Sequence, residues 1–262
     1  MSEIRGGFQA LVQWAIVAMV VTFIPIASQA QDPVELIRLI DNPTAGLVDK
    51  GRFAADFRLF PQGGLQGQLS AGIMRRLAIG LSFGGEGIIG DGNVDWYPRV
   101  EVAARYRIIE ESEALPAFTL GYETQGYGRY VGERYQVKSK GFFLAISKNY
   151  VSGFGQFGVH AGANRSREDE DDDGLNGWVG LDKSINEELI VAGEYDFALN
   201  DNGDDALGSG RGYLNLGAFW APTDGLYLGF LLKNVLENGD GGGIGPDPEL
   251  SRELVVRYTE RF

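Results

Sequence analysis

The stretch "RELVVRYTERF" (252–262) alternates apolar and polar residues. Successive side chains of a β-strand point to opposite faces of the sheet. One face therefore carries Leu254, Val256, Tyr258 and Phe262, and the other carries Glu253, Arg257, Thr259 and Arg261. Such a strand needs an apolar environment on one side and a polar environment on the other.

The same alternation recurs along most of the chain and predicts about twelve strands. In residues 52–60, for example, Phe53 and Phe57 oppose Asp56 and Arg58. The other segments are 65–74, 77–83, 99–108, 116–124, 140–148, 155–164, 176–183, 188–199, 212–220, 226–234 and the C-terminal stretch. Hydrocarbon offers backbone amides no hydrogen-bond partners, so a sheet that spans a bilayer must close on itself. The sequence therefore predicts an all-β fold, a closed antiparallel transmembrane β-barrel over residues 51–262, with Phe262 helping to pair the last strand with the first.

The connections between these segments alternate in length. Short ones lie at 75–76, 109–115, 149–153, 184–187 and 221–225, and long ones lie between them, with "PQGG" (61–64) as the exception. Bacterial outer-membrane barrels have short periplasmic turns and long outer loops, and an even strand number places both ends on the periplasmic side. Aromatic residues near strand ends are expected in the interfacial belts: Phe60, Tyr106, Trp220 and Phe262.

The N-terminal region has the features of an export signal. Arg5 precedes an apolar stretch (10–26), and Ser28 and Ala30 supply the small residues of a cleavage site. We predict a signal peptide over 1–30, with an uncleaved anchor as the alternative, and localisation in a bacterial outer membrane. Residues 31–50 are expected to be a periplasmic segment that includes a short helix, inside or beneath the barrel.

Charge and composition exclude several classes of function. The net charge of −13, from 23 basic and 36 acidic residues, argues against nucleic acid as a partner. The absence of Cys excludes disulfides, thiolate chemistry and a lipid-attachment cysteine. The acidic runs at 167–174 and 200–208 indicate solvated loops or weak binding of divalent ions. "DEDDDG" (169–174) resembles a calcium loop, but Gly180 stands where the twelfth-position carboxylate belongs, so no metal site and no cofactor are predicted.

The inward face of the predicted barrel is charged. The candidate pore-lining residues are Arg52, Asp56, Arg58, Arg99, Glu101, Arg105, Arg107, Glu123, His160, Asp182, Glu194, Asp196, Arg257 and Arg261. In one interpretation these charges pair and fill a narrow interior. In the other, basic and acidic walls face each other and create a transverse field that selects polar or charged solutes.

His160 is the only histidine of the chain. The alternation directs it inward together with Asn164, as a hydrogen-bonded residue of the lumen. Ser147 on the preceding predicted strand is a possible neighbour, and a serine, a histidine and an orienting polar group are what a lipid hydrolase requires. Lipid substrates favour an outward-facing site, however, and no G-x-S-x-G motif is present. The sequence therefore predicts no enzyme and no catalytic residues.

Residues 99–128 followed by 135–150 contain an acidic pair, a Leu-Pro-Ala sequence, a Gly-rich loop and a return strand with Ser and Lys. Together with the "DNPTAGLVDKG" opening (41–51), they resemble the YjbH-like family. The resemblance implies an outer-membrane β-barrel associated with exopolysaccharide production. The terminal aromatic Phe262, with Tyr258 before it, resembles the signal read by the outer-membrane assembly machinery. The implied partners are outer-membrane lipid and the barrel-assembly machinery.

These observations favour a role in passage. The expected function is a narrow pore for small polar or saccharide solutes, or a barrel component of exopolysaccharide export. The alternative is a non-conducting structural or adhesive barrel whose acidic surface loops bind divalent ions or a partner.

Overall fold

The computed structural model describes residues 36–152, 155–168, 174–201, 206–239 and 250–262. The predicted signal peptide and most of the two acidic runs lie outside these ranges. The described strands are β1 (Arg52–Phe60), β2 (Gly64–Met74), β3 (Leu77–Glu86), β4 (Asp95–Trp96), β5 (Glu101–Ile109), β6 (Ala117–Glu123), β7 (Tyr127–Val131), β8 (Arg134–Val137), β9 (Gly141–Ser152), β10 (Gly155–Arg165), β11 (Leu175–Ser184), β12 (Leu189–Asp196), β13 (Tyr213–Thr223), β14 (Leu226–Lys233) and β15 (Ser251–Arg261).

Twelve of these strands form one closed antiparallel barrel, in the order β2-β1-β15-β14-β13-β12-β11-β10-β9-β6-β5-β3, with β3 paired back to β2. The closure between the first and last strands pairs Arg52 with Arg261. Beyond them, the Phe262 amide donates to the Gly51 carbonyl at 3.0 Å. All twelve predicted segments and the predicted closure are confirmed. The short β4 extends the outer end of β3, and β7 and β8 form a separate hairpin.

The strands place apolar side chains outward and polar or small ones inward. In β3, Ile79 and Leu81 are 48% and 55% exposed, whereas Ala78 and Ser82 are buried. A lipid-facing surface needs this arrangement because hydrocarbon solvates Ile and Leu but not hydroxyl or charged groups. The period of two residues in the sequence therefore decides which side of the wall each residue occupies.

The loops follow the predicted order of short and long connections, and β1–β2 keeps its short outer turn. Tyr106, Trp220 and Phe262 are exposed near strand ends, as expected for interfacial aromatics. The expectation for Phe60 is wrong: it is buried and stacks on Tyr97 with ring centroids 6.5 Å apart. Phe60 lies on the same face of β1 as the inward residues of that strand, so its side chain points into the barrel, where the outer loops cover it.

The described part of the N-terminal region, residues 36–50, contains bends and isolated bridges and no helix. Its position inside the barrel is one of the two expected ones, since residues 36–48 lie in the lumen and almost all are buried. A helix is absent here because amides such as that of Ile40 are bonded instead to side chains of the barrel wall. No helix among the described residues is long and apolar enough to cross a bilayer.

Candidate functional site

Residues 36–48 form a re-entrant loop in the lumen, which we call the plug. It enters from the periplasmic end, turns at Asp41–Pro43 and returns towards β1. The Leu39 amide donates to the Asn42 carbonyl at 3.0 Å, and Arg38 forms an antiparallel bridge with Pro43. The Thr44 hydroxyl donates to the Leu36 carbonyl and joins the two arms at their base. The plug is thus a compact loop with its tip pointing into the barrel.

Glu194 of β12 binds the main chain at the tip of the plug. Its Oε2 accepts from the amides of Ile40 and Asn42, both at 3.0 Å, and its Oε1 accepts from the Asp41 amide at 2.8 Å. The Asn215 side chain donates to the same Oε1 at 2.8 Å. Hydrogen bonds to an ionised acceptor are about twice as strong as neutral ones. One wall carboxylate therefore satisfies three consecutive peptide groups that no secondary structure serves.

The side chain of Asp41 at the plug tip joins an ion-pair network. Arg58 Nη2 contacts Asp41 at 2.7 Å, and its Nε contacts Glu253 at 2.5 Å. Lys233 contacts Asp41 at 2.9 Å and Glu253 at 3.4 Å. All four side chains are almost completely buried. Removing one member of such a buried network leaves an uncompensated charge, so the network fixes the position of the tip.

The returning arm of the plug is bound through Ala45. Its amide donates to Ser147 Oγ at 2.8 Å, and its carbonyl accepts from Thr119 Oγ1 at 2.7 Å and from Arg107 Nη2 at 2.8 Å. On the entering arm, Arg105 donates to the Ile37 carbonyl at 2.5 Å. Wall side chains thus bind main-chain groups on both arms.

An apolar contact completes the seat of the plug. Leu36, Leu39 and Ile40 pack on a patch of the inner wall that includes Phe219 and Leu231. This contact explains why the inward faces of β13 and β14 are apolar near the short turn that joins the two strands. A water-filled lumen would require polar residues there. Burying an aliphatic side chain contributes about 1.5–3 kcal/mol, so these three residues stabilise the plug in its position in the lumen.

His160 links Ser147 to Asp182. Its Nδ1 lies 2.8 Å from Ser147 Oγ, and its Nε2 lies 2.7 Å from Asp182 Oδ1. The order serine–histidine–aspartate is that of a hydrolase triad, but the two ring nitrogens are exchanged, because in the triad Nε2 faces the serine and Nδ1 the aspartate. Ser147, however, is already the acceptor for the Ala45 amide and lies under the plug, away from lipid. The three residues orient the hydroxyl that binds the plug, and the predicted inward, hydrogen-bonded histidine is what the structure shows.

The β7–β8 hairpin closes the outer side of the lumen. Three cationic groups surround the ring of Tyr127: Arg58 lies 4.1 Å from its centroid, Lys233 5.3 Å and Arg38 5.4 Å. Cation–π contacts are stronger between buried groups than between exposed ones, and Tyr127 and Arg58 are both buried. Because Arg38 belongs to the plug, Tyr127 is the point where the outer hairpin and the plug meet.

Glu168, which follows β10, holds the hairpin from the outer side. It accepts from the amides of Tyr135 at 3.0 Å and Ser139 at 3.3 Å. Burial raises the pKa of the Glu168 carboxyl to about 7, although these hydrogen bonds and the charge of Arg134 act in the opposite direction. A carboxyl with this pKa changes its charge near neutral pH.

Most of the predicted pore-lining residues lie on the inner side of the wall. These are Asp56, Arg58, Glu101, Arg105, Arg107, Glu123, His160, Asp182, Glu194, Asp196 and Arg257. Arg52, Arg99 and Arg261 differ, because they lie at strand ends or beyond them with exposed or half-exposed side chains. Water at the rims solvates their guanidinium groups, so alternation alone does not bring them into the lumen.

The inner charges pair locally instead of forming opposed walls. Arg105 donates to Glu123 of the adjacent strand with its Nε at 2.8 Å, and Arg257 contacts Asp56 at 2.5 Å. Arg105 and Glu123 lie on neighbouring strands, β5 and β6, and not on opposite walls of the lumen. The first interpretation of the charges, in which they pair and fill a narrow interior, describes this arrangement.

Several residues of the site carried little signal in the sequence. Lys233 comes after the inward apolar residues of β14. The strand therefore lacks the polar inner face that would have marked Lys233 as a candidate. Glu253 lies on the polar face of the C-terminal stretch and alternation alone could have added it to the candidates. Arg38, Asp41 and Tyr127 belong to segments outside the barrel strands, where the period of two gives no information.

Two cavities flank the plug. The outer one, of about 230 Å³, is lined by Tyr127, Tyr213, Asn215 and Lys233 among others. The periplasmic one, of about 680 Å³, reaches Ser147, His160 and Asp182. The plug and the outer hairpin therefore separate two wide openings of one barrel. Among the described residues, no group of three or more acidic or His side chains is arranged to hold a metal ion.

No family model matches the chain, and no curated protein is similar to it in sequence. Solved structures share its fold. The KdgM porin has a TM-score of 0.50 at 7% identity, over 79% of this chain and 98% of that one. The KdgM porin in complex with disordered oligogalacturonate gives 0.49 at 9% identity, over 79% and 98% of the two chains. The NanC porin gives 0.42 at 9% identity, over 80% and 99%.

The likeness to the KdgM porin shows the fold: this chain is a closed β-barrel of the outer-membrane porin type. The solved structure with this fold is named a porin. The barrel wall, the outward apolar face and the order of loop lengths agree with that class.

Proposed function

We propose that the protein is a gated outer-membrane passage for small polar or saccharide solutes, closed at rest by its own plug. The observation that carries the proposal is that the wall is complete without the plug. All twelve barrel strands pair with their neighbours, and residues 36–48 add no strand to them. Barrels of about eight strands fill with their own side chains, whereas those of 16–18 strands leave a channel. A twelve-stranded barrel has room for an occupant, and here the occupant is the plug.

The groups that hold the plug are suited to a hydroxyl-rich solute. Ser147, Thr119, Glu194 and Asn215 bond the plug through hydroxyl, carboxylate and amide groups. The same groups donate to and accept from sugar hydroxyls. A solute that replaces the peptide groups of the plug would keep these wall residues satisfied. The fold of the KdgM porin supports passage as the function.

Removing the plug tests the proposal. In the test variant, residues 36–48 are replaced by a Gly/Ser linker of equal length, and the refolded barrel is reconstituted in planar bilayers. We expect discrete conductance steps from this variant and only rare ones from the full chain. Closure of the barrel is monitored by heat-shifted gel migration. A variant that migrates as a closed barrel and shows no steps would refute the proposal and favour the non-conducting barrel, which the filled lumen also suits.

We also propose exopolysaccharide as a cargo, a role supported by the resemblance to the YjbH-like family. A linear polysaccharide would thread the lumen along the groups that bind the plug. Efflux of labelled oligosaccharides of increasing length from proteoliposomes measures this directly. Efflux that stops at a monosaccharide would restrict the passage to small solutes. Contact with outer-membrane lipid and recognition of Tyr258 and Phe262 by the barrel-assembly machinery belong to the same proposal.

A further inference from the structure

A small enclosed chamber lies between the plug and the wall formed by β1, β2, β14 and β15. Its volume is about 40 Å³. The residues that matter for its chemistry are Arg38, Asp56, Gln66, Tyr127, Tyr227 and Arg257. Arg38 belongs to the plug and the others belong to the wall or the outer hairpin, so the chamber lies between two parts of the molecule.

Four polar atoms that line this chamber are buried and have no hydrogen-bond partner among the described residues. They are Nε of Arg38, Oδ2 of Asp56, Oε1 of Gln66 and the hydroxyl of Tyr227. Gln66 and Tyr227 are only 3% and 7% exposed. Two of the atoms belong to donor groups and two are acceptors. Buried polar groups are rarely left unbonded, so this cluster points to a polar occupant.

The charges around the chamber indicate that the occupant is neutral. Arg38 contacts Glu123 at 3.1 Å, and Arg257 contacts Asp56 at 2.5 Å. Arg58, which also lines the chamber, contacts carboxylates at 2.5 and 2.7 Å. Since each lining cation has a carboxylate partner, no net charge is left to attract an ion. Water both donates and accepts, and it matches the two free donor groups and two free acceptors.

We propose that the chamber binds a small cluster of water molecules and is the middle part of a narrow hydrated path past the plug. A water needs roughly 10–15 Å³ of such volume and two to four polar partners, so the chamber holds about three. These waters join Arg38 of the plug to Asp56, Gln66 and Tyr227 of the wall. On this side the waters add to the direct contact of Arg38 with Glu123, whereas on the side of Glu194 the plug is held by direct hydrogen bonds.

The chamber is separated from each larger cavity by very few residues. Tyr127 lines both the chamber and the outer cavity. Tyr227 and Leu36 line both the chamber and the periplasmic cavity. The three spaces therefore lie in series, and the side chains of Tyr127 and Tyr227 are the partitions between them. This path does not require the plug to move, so it goes beyond the proposed function.

A high-resolution crystal structure of the full chain tests the occupant. We expect density within hydrogen-bond distance of the four unpartnered atoms of Arg38, Asp56, Gln66 and Tyr227. A bromide soak distinguishes water from an anion: an anomalous peak in the chamber would overturn the proposal. A chamber in which the same side chains have closed on one another, with no density between them, would overturn it as well.

Water permeability tests the path. Proteoliposomes that contain the full chain are measured by osmotic shrinkage in a stopped-flow instrument. Tyr227→Ala opens the periplasmic partition, and we expect a severalfold rise in permeability over the unmodified protein. Leu228→Ala, on the outward face of the same strand, is the matched control and should change nothing. Equal permeability of Tyr227→Ala and the unmodified protein, with both barrels closed by gel migration, contradicts the path.

The two tests also separate this inference from the proposed function. The conductance experiment uses a barrel without its plug, whereas both experiments here use the complete chain. A plugless barrel that fails to conduct leaves the ordered water and its path unaffected. Conversely, a dry chamber would leave the gated passage standing.

Discussion

Glu194 offers the sharpest test of how the plug is held, through the substitution Glu194→Gln. The carboxylate accepts four hydrogen bonds, two on each oxygen, from Ile40, Asp41, Asn42 and Asn215. A glutamine replaces one oxygen by an amino group, which is a donor facing two donors. Whichever way the amide turns, two of the four bonds are lost.

The size of the effect follows from these bonds. A hydrogen bond to a charged group contributes about 1.5–3 kcal/mol, so two contribute about 3 kcal/mol or more. Glutamine also no longer buries a charge, which offsets part of this loss. Since each 1.4 kcal/mol is a factor of ten, we expect plug release to become about tenfold to a hundredfold more frequent.

Amide hydrogen exchange, followed by mass spectrometry on peptides that cover residues 36–48, measures plug release. Glu188→Gln is the matched control, because Glu188 lies in a periplasmic turn and accepts from Trp220 at 3.0 Å. Exchange in the plug should accelerate in Glu194→Gln and stay unchanged in Glu188→Gln. If both variants exchange at the rate of the unmodified protein, Glu194 does not hold the plug and the reasoning from its four bonds is wrong.

Three further results are expected. The carboxyl of Glu168 has a pKa of about 7 when buried against 4.5 when exposed, so docking of the β7–β8 hairpin is strongest below pH 4.5 and weakens as the pH rises through 7. Exchange of the hairpin amides, corrected for the intrinsic rate, should be faster at pH 8 than at pH 5.5, and Glu168→Gln should remove this difference. Leu81→Arg places a charge on the lipid face of β3 and should destabilise the barrel in vesicle refolding by about 2–4 kcal/mol, whereas a null result would question the membrane-facing side. Ser147→Ala leaves the Ala45 amide without its acceptor, at a cost of about 1–3 kcal/mol, visible as faster exchange at that amide alone.

The proposed closed resting state depends on the balance between the plug and the wall. The lumen contains an apolar patch around Phe219 and Leu231 that Leu36, Leu39 and Ile40 cover. Opening would expose this patch to water unless a solute covers it. We therefore expect spontaneous opening to be rare, and solute binding to shift the equilibrium by its own preference for the open lumen.

Alternation predicted well for the wall and poorly for the plug, as particular residues show. His160 and Asn164 were placed inward from the period of two, and both are buried in the lumen. Glu123 shows the limit of the method. Its inward direction was correct, but its partner depends on which strands are adjacent, and Arg105 proved to be on the neighbouring strand.

The sequence by itself determined the barrel: its strands, its two faces and its closure. The physical reason is local, because each residue of a spanning strand must suit either lipid or lumen, and that demand is written at every second position. The plug was decided only by the tertiary structure. Its bonds join residues far apart in the chain, such as Ile40 and Glu194, 154 positions apart. Such partners come into contact only once the barrel has closed around the plug. The alternation of the sequence therefore carries no information about these contacts.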